Sequence, residues 1–272
     1  MQPAQTPLSE LSQIARAVVP IARDAGAVIL ELYTSGLRPR VKHDGSPVTI
    51  ADEHAEAVIL SGLARLAPDI AAVSEEASAR GERCSGGDRF WLVDPLDGTK
   101  EFLNHTGEFT VNIALVERAR PVLGLVLAPA LGELYVGLPG RGAWIHRNGT
   151  WLPMSARPEP AQGLTILCSR SHGDPAALRR YLADLPVVAN RSAGSSLKFC
   201  FVAAGKADLY PRFGRTMEWD TAAAHAVLDA AGGAVTDIAG RDLLYGKPGF
   251  ENPWFIARGK APRRAPPTLA RS

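Results

Sequence analysis

Four stretches of this 272-residue chain place carboxylates where a strand ends or a helix starts. Phe90-Trp91-Leu92-Val93 is an apolar run that leads straight into Asp94-Pro95-Leu96-Asp97-Gly98-Thr99. Pro95 fixes one backbone angle between the two aspartates, and Gly98 permits a tight turn. Such a turn projects both carboxylates and the Leu96 carbonyl into one space. Oxygens at that density suit a hard cation such as Mg²⁺, which takes carboxylates and water. Val73-Ser74-Glu75-Glu76 ends another apolar run with two acids, and Trp219-Asp220-Thr221 precedes a helical repeat of Ala224, Val227, Leu228 and Ala231. Thr49-Ile50-Ala51-Asp52 matches a capping box, with Asp52 reaching back to the Thr49 backbone. Taken singly, each also fits an ordinary role: a solvated Asp-rich turn, a surface acid pair, a helix N-cap.

The elements that must position these acids can be read from periodicity. Leu11, Ile14, Val18, Ala22, Ala25, Ile29 and Leu32 mark one face of an amphipathic helix. Pro20 inside it predicts a kink, or a new helix starting there. Gly36 to Pro47 reads as a polar loop, and residues 41–47 as a lid over a substrate. A second helix carries Ala55, Val58, Ile59, Leu63 and Leu66 and closes at Pro68. Short apolar runs then read as strands at 70–73, 90–93, 110–116, 122–127, 134–138 and 143–146, and Asn148-Gly149 signals a hairpin into Trp151-Leu152. This predicts a meander-like sheet preceded by helices.

Met154 to Gly163, with Pro158 and Pro160, reads as a linker. Beyond it, strands at 164–168, 187–189, 208–210 and 234–236 alternate with helices at 175–182, 196–204 and 221–231, which predicts a second α/β layer. The expected organisation is an N-terminal α+β half over 1–157 with the acidic motifs, a C-terminal α/β half over 158–260, and a disordered basic tail over 261–272.

Composition narrows the function classes. Hydrophobic residues make up 46% and charged residues 21%, values of a soluble globular domain rather than a disordered or fibrous chain. The formal charge of +2 hides an asymmetry, because the last sixteen residues hold five cations (Arg258, Lys260, Arg263, Arg264, Arg271) and no acid. Without them the charge is −3, which argues against nucleic acid as a partner. Three scattered cysteines, Cys84, Cys168 and Cys200, offer no disulfide framework or thiolate metal site and suit a reducing cytoplasm. Met1 to Glu10 lacks the cation and apolar run of a secretory leader, and no stretch is apolar enough to span a membrane.

In order along the chain, Val48-Thr49-x-x-Asp52, Ser74-Glu75-Glu76, Asp94-Pro95-Leu96-Asp97-Gly98-Thr99 and Trp219-Asp220-Thr221-Ala222-Ala223 resemble the inositol monophosphatase superfamily, from about residue 11 to 257. The resemblance implies an α/β fold layered αβαβα and a Mg²⁺-dependent, lithium-sensitive phosphatase with two or three metal ions. It makes Glu75, Asp94, the Leu96 carbonyl, Asp97 and Asp220 metal ligands, with Asp52 and Thr99 as the catalytic dyad that orients a water and accepts its proton. That water attacks phosphorus in line, without a covalent enzyme intermediate. Glu75, Leu96, Asp97, Gly98, Thr99 and Asp220 would also face the substrate phosphate, with Gly98 and Thr99 opening a helix whose N–H groups grip it.

Within the superfamily the chain is most similar to the 3′(2′),5′-bisphosphate nucleotidases of sulfate assimilation. The marks are Lys100-Glu101-Phe102 after the acidic turn, Gly107-Glu108-Phe109-Thr110-Val111-Asn112, Ser169-Arg170-Ser171-His172, Gly194-Ser195-Ser196-Leu197-Lys198 and Leu209-Tyr210-Pro211-Arg212-Phe213. They imply hydrolysis of the 3′-phosphate of adenosine 3′,5′-bisphosphate to AMP and phosphate, and of its sulfated analogue, 3′-phosphoadenosine 5′-phosphosulfate. The alternative substrates are inositol 1-phosphate and a sugar bisphosphate. A second phosphate needs its own cations, for which Lys198 and Arg212 stand as candidates. His172, Gly194 and Ser195 are candidates for the nucleoside. Implied with them are a small nucleotide bisphosphate as partner, no nucleic acid, a monomer or homodimer, and a cytoplasmic location or contact with the cytoplasmic face of the inner membrane.

Overall fold

A computed structural model describes residues 8–35, 40–41, 47–48, 50–82, 86–169 and 173–260. In chain order the elements are α1 (Leu8–Thr34), β1 (Arg40–Val41), β2 (Pro47–Val48), α2 (Ile50–Leu66), β3 (Ala71–Ser74), α3 (Glu75–Ala79), β4 (Arg89–Asp97), α4 (Thr99–Leu103), β5 (Thr110–Glu117), β6 (Arg120–Ala128), β7 (Glu133–Leu138), β8 (Gly142–Arg147) and β9 (Thr150–Met154). There follow β10 (Leu164–Cys168), α5 (Pro175–Leu182), β11 (Val187–Ser192), α6 (Leu197–Ala203), β12 (Leu209–Arg212), α7 (Ala222–Ala230), β13 (Ala234–Asp237) and β14 (Phe255–Arg258).

β3 to β9 form one sheet in sequence order; β3 and β4 are parallel, and every later neighbour is antiparallel. Successive strand residues point to opposite faces, and here both faces are covered. On β4, Trp91 and Val93 join α1 and α2 in one core, while Phe90 and Leu92 join α6 and α7 in another. That double coverage explains why β5 is buried along its whole length. The second sheet has the order β11-β10-β12-β14-β13, with α5 on its outer side through Ala177 and Tyr181. The layers therefore run αβαβα, as the resemblance implied.

The helix α7 lies almost directly on the large sheet. Gly124 and Gly137 face each other across β6 and β7, and a Cβ at either would fall 2.0 Å from the Ala223 carbonyl oxygen or 2.3 Å from Val227 Cα. Glycine is needed at both for this approach, and small Ala222, Ala223 and Ala226 answer from the helix side. The approach places Asp220, just ahead of α7, over the sheet.

Several expectations differ from what forms. α1 is one helix through Pro20, with no new start there. Pro20 lies on the exposed face, so the carbonyl that loses its N–H partner can be solvated, while fully buried Val18 and Ala22 hold the helix on both sides. The segment read as a linker is tied down: Ala156 N–H donates to Ala231 O at 3.0 Å, and Arg157 grips Asp208 with two bonds of 2.7 Å. β14 has no counterpart among the expected strands, yet it pairs with both β12 and β13. The Asn148-Gly149 hairpin forms with both residues at positive φ. Cys84, the Thr49 half of the capping box, most of the residue 41–47 lid and the 261–272 tail lie outside the described residues. Among the described residues, no helix is long and apolar enough to cross a membrane.

Candidate active site

Asp94 and Asp97 lie within a strand, not in the turn expected after it. Between the pairs Asp94↔Asn112 and Asp97↔Thr110, β4 advances three residues and β5 only two. In a regular strand, residues three apart face opposite ways. The extra residue of this bulge, placed at Pro95-Leu96, returns both aspartates to one side. Pro95 has no N–H to waste there. Gly98 then turns the chain with φ 91° and starts α4.

Glu75 arrives at the first position of α3, a short helix whose acids alone fit a solvated pair and where the resemblance makes Glu75 a metal ligand. Its placement depends on Glu56, which is buried on α2 one turn after Asp52. The Glu56 carboxylate accepts from the Ser74 hydroxyl, from Ala77 N–H at 3.0 Å, and from Arg80 at 2.9 Å. Asp220 folds back to accept from Met217 N–H at 2.9 Å.

Together these elements bring oxygens of Glu75, Asp94 and Asp220 within 4.8 Å of one another. Burial first, and then repulsion from Glu75, Asp97 and Asp220, pushes the Asp94 carboxyl well above its ordinary range. Asp220 is raised in the same way, by burial and then by Asp97 and Glu75, against the pull of Met217 N–H and Arg212. Three hard donors whose charge is this costly match a divalent cation, which reverses the sign of the local field.

Asp97 stands beside that triad in a different setting. Its Oδ2 accepts from Ser196 N–H at 2.6 Å and from Asn112 Nδ2 at 3.5 Å. Burial raises it to about 6, opposed by the Lys198 ammonium and the Ser196 N–H. Ser196 Oγ donates to Asn112 Oδ1 at 2.7 Å and meets Thr110 Oγ1 at 2.9 Å, so this network ties the two halves of the chain. Asn112 and Thr110 stood in a quoted motif without an assigned role; the available signal was two polar residues at the start of a strand that is then apolar up to Glu117. Asp52 is buried on α2, and Thr99 Oγ1 lies 3.3 Å from its Oδ1 and 3.4 Å from the Leu96 carbonyl.

Glu75, Asp94, Leu96, Asp97, Thr99 and Asp220 line one cavity of about 1100 Å³, ample for a nucleotide-sized ligand. Lys198 and Arg212 also line it, both buried, and their charges oppose the rise of Asp97 and Asp220, respectively. Lys198 Nζ donates to Ala193 O at 3.0 Å and Ser195 O at 2.6 Å, and burial lowers its pKa to about 8. Ser195 lines the cavity with φ 45°. Gly194 stands behind it, its N–H given to Glu108 Oε2 at 2.8 Å. His172 lies outside the described residues.

Residues 10–262 match the inositol monophosphatase family. The chain is 48% identical to the 3′(2′),5′-bisphosphate nucleotidase CysQ of Shigella flexneri over 88% of this chain and 96% of that one. It is 47% identical to CysQ of Escherichia coli K12 over the same shares. Its fold matches the crystal structure of CysQ from Bacteroides thetaiotaomicron with a TM-score of 0.75 at 39% identity, covering 91% of this chain and 97% of that one. On the match of nearly the whole sequence and of the layered fold, the chain belongs to the inositol monophosphatase family.

Proposed function

We propose that the protein is a Mg²⁺-dependent phosphomonoesterase that removes the 3′-phosphate of adenosine 3′,5′-bisphosphate, leaving AMP and phosphate, and that it accepts 3′-phosphoadenosine 5′-phosphosulfate in the same way. The observation that carries this reading is a single cavity lined both by a carboxylate corner and by two buried cations. A substrate with two phosphates can use both sets of groups. The nucleotidase relatives at 47–48% identity support the choice of nucleotide.

Glu75, Asp94 and Asp220, joined by Asp97 and the Leu96 carbonyl, would hold the metal. Bound divalent ions supply Lewis-acid polarisation of the phosphoryl group and an acidified water. The protein's own residues do the rest. Thr99 Oγ1, anchored on Asp52, orients the attacking water, and the Asp52 carboxylate takes its proton through that hydroxyl. Ser196 N–H and Asn112 fix the Asp97 carboxylate. Arg212 offers a planar fork and Lys198 a point charge to the phosphate that is not cleaved.

The test is side-by-side kcat/KM with Mg²⁺ for adenosine 3′,5′-bisphosphate, inositol 1-phosphate and a sugar bisphosphate. The nucleotide should lead by at least about tenfold, equivalent to ~1.4 kcal/mol of transition-state discrimination. An equal lead for inositol 1-phosphate overturns the assignment. The cytoplasmic location and a monomeric or homodimeric state complete the proposal, checked by fractionation and by light scattering.

A further inference from the structure

One partly buried ion pair lies outside the machinery above. Glu218 is completely buried, yet its carboxylate accepts from Gly246 N–H at 2.6 Å, from Lys247 N–H at 3.0 Å, and from Lys247 Nζ at 2.6 Å. In return, Glu218 N–H donates to Phe250 O at 2.8 Å. Asn252 fastens the far end of the same loop, with its N–H on Thr216 O at 2.9 Å and its Nδ2 on Met217 O at 2.8 Å and Thr221 Oγ1 at 3.0 Å. The loop over 246–252 is thus laced onto the segment that carries Asp220.

The lacing holds an unfavourable conformation. Gly249 and Phe250 both adopt positive φ, 77° and 54°, and a bulky residue avoids that region unless its surroundings impose it. The held loop sets Gly249 and Phe250 in the cavity wall beside Met217 and Trp219, with the Phe250 and Trp219 rings 6.1 Å apart. This wall is apolar and aromatic, unlike the carboxylate corner and the Lys198–Arg212 pair. With Glu218 fully buried and Lys247 partly exposed, such a pair gains little net stability over a hydrophobic one, but its directional bonds define where a loop sits.

We propose that Glu218 and Lys247 act as a clamp that sets the 246–250 loop as the wall selecting the organic part of the substrate. They are positioning residues: they shape discrimination between phosphate esters and leave the phosphoryl chemistry unchanged. The inference rests on the phosphomonoesterase reading of this cavity. A flat, unsaturated ring such as a nucleobase suits two aromatic faces of this kind.

The test compares wild type with Lys247→Met, which keeps the aliphatic stem and removes the ammonium. Adenosine 3′,5′-bisphosphate and β-glycerol phosphate, which has no ring, serve as substrates, and Mg²⁺ affinity is read by calorimetry. KM for the nucleotide should rise about tenfold with kcat, Mg²⁺ affinity and turnover of the glycerol ester retained. Lys247→Arg should return KM toward wild type. Equal losses on both substrates, a loss confined to kcat, or no change overturns the clamp. Should Lys247→Met fail to fold, Lys247→Gln is read against the same outcomes. Wild type, run in parallel, separates the two readings. Absent metal-dependent phosphate release from the nucleotide defeats the proposed function, whereas normal wild-type turnover with an undiscriminating Lys247 variant defeats only the clamp.

Discussion

Groups of opposite charge line the cavity, and burial works against both. Among the acids, Asp94 and Asp220 are pushed well up and Asp97 rises to about 6. Among the cations, Lys198 falls to about 8. Each set is made costly by lost solvent and is relieved by a ligand of opposite charge. They differ in construction. The acids come from the ends of β3, β4 and the approach to α7, so the corner exists only when both halves of the chain have folded. Lys198 and Arg212 come from α6 and β12 of the C-terminal half. On the proposed function, chemistry would depend on the whole fold, and hold on the second phosphate on one half of it.

Asp94→Asn is the sharpest way to break the contrast. The amide keeps the oxygen that accepts Leu96 N–H at 3.0 Å and removes the charge. Metal-dependent turnover should fall about a thousandfold or more. In metal-free buffer the same variant should gain stability on the order of 1 kcal/mol, a few degrees in Tm, because a buried repelled charge is gone. Unchanged turnover together with a lower Tm would show that Asp94 is structural only.

Lys198→Met tests the cations. KM for the bisphosphate should rise about 10–100-fold, with a much smaller change for adenosine 3′-monophosphate, which lacks the second phosphate. Equal losses on both substrates would make Lys198 a brace for the Ala193–Ser195 turn and nothing more.

Glu56→Gln probes the support behind Glu75. A group that orients a metal ligand typically costs about tenfold or more in metal affinity when altered, and calorimetric Mg²⁺ titration measures that directly. Unchanged affinity would mean that Glu56 only stitches α2 to α3.

The smallest expected effect is a pH dependence. Because the folded carboxyls titrate above the ordinary value of 3.8, the metal-free folded state binds more protons than the unfolded chain above that pH. Their contribution to stability therefore falls as pH rises from about 4 through 6 and beyond. A metal must displace those protons at low pH and relieves bare repulsion at high pH. The Tm gain from Mg²⁺ should thus be larger at pH 8 than at pH 5, by a few degrees. Measuring the gain as a difference removes His225, which burial lowers to about 4 and which destabilises the fold as pH falls below 6.5, with or without metal. An equal gain at both pH values would detach the metal from these acids.

Much of the scaffold was legible because its period is local. α5 begins and ends where its spacing placed it, and the meander from β5 to β9 follows its turn residues. What escaped was set by distance. β14 is four residues long, and its partners in β12 and β13 lie far back in the chain, so no local period marks it. Glu75 was named as a metal ligand through the resemblance alone, because the Glu56 that holds the start of α3 lies 18 to 21 positions away. Lys198 and Arg212, residue types that normally face solvent, were candidates by their charge, and their burial comes only from the packed fold.

The sequence alone carried the donor chemistry: which residues bear carboxylates, where Pro95 and Gly98 interrupt the backbone, and which faces of α1 and α2 are apolar. These follow from residue types and short-range sterics. Only the tertiary structure decided that a one-residue bulge turns Asp94 and Asp97 to the same side, and that a pair of glycines lets α7 approach closely enough to deliver Asp220. Both depend on strand register and helix seating, which arise from contacts between segments that no local pattern connects.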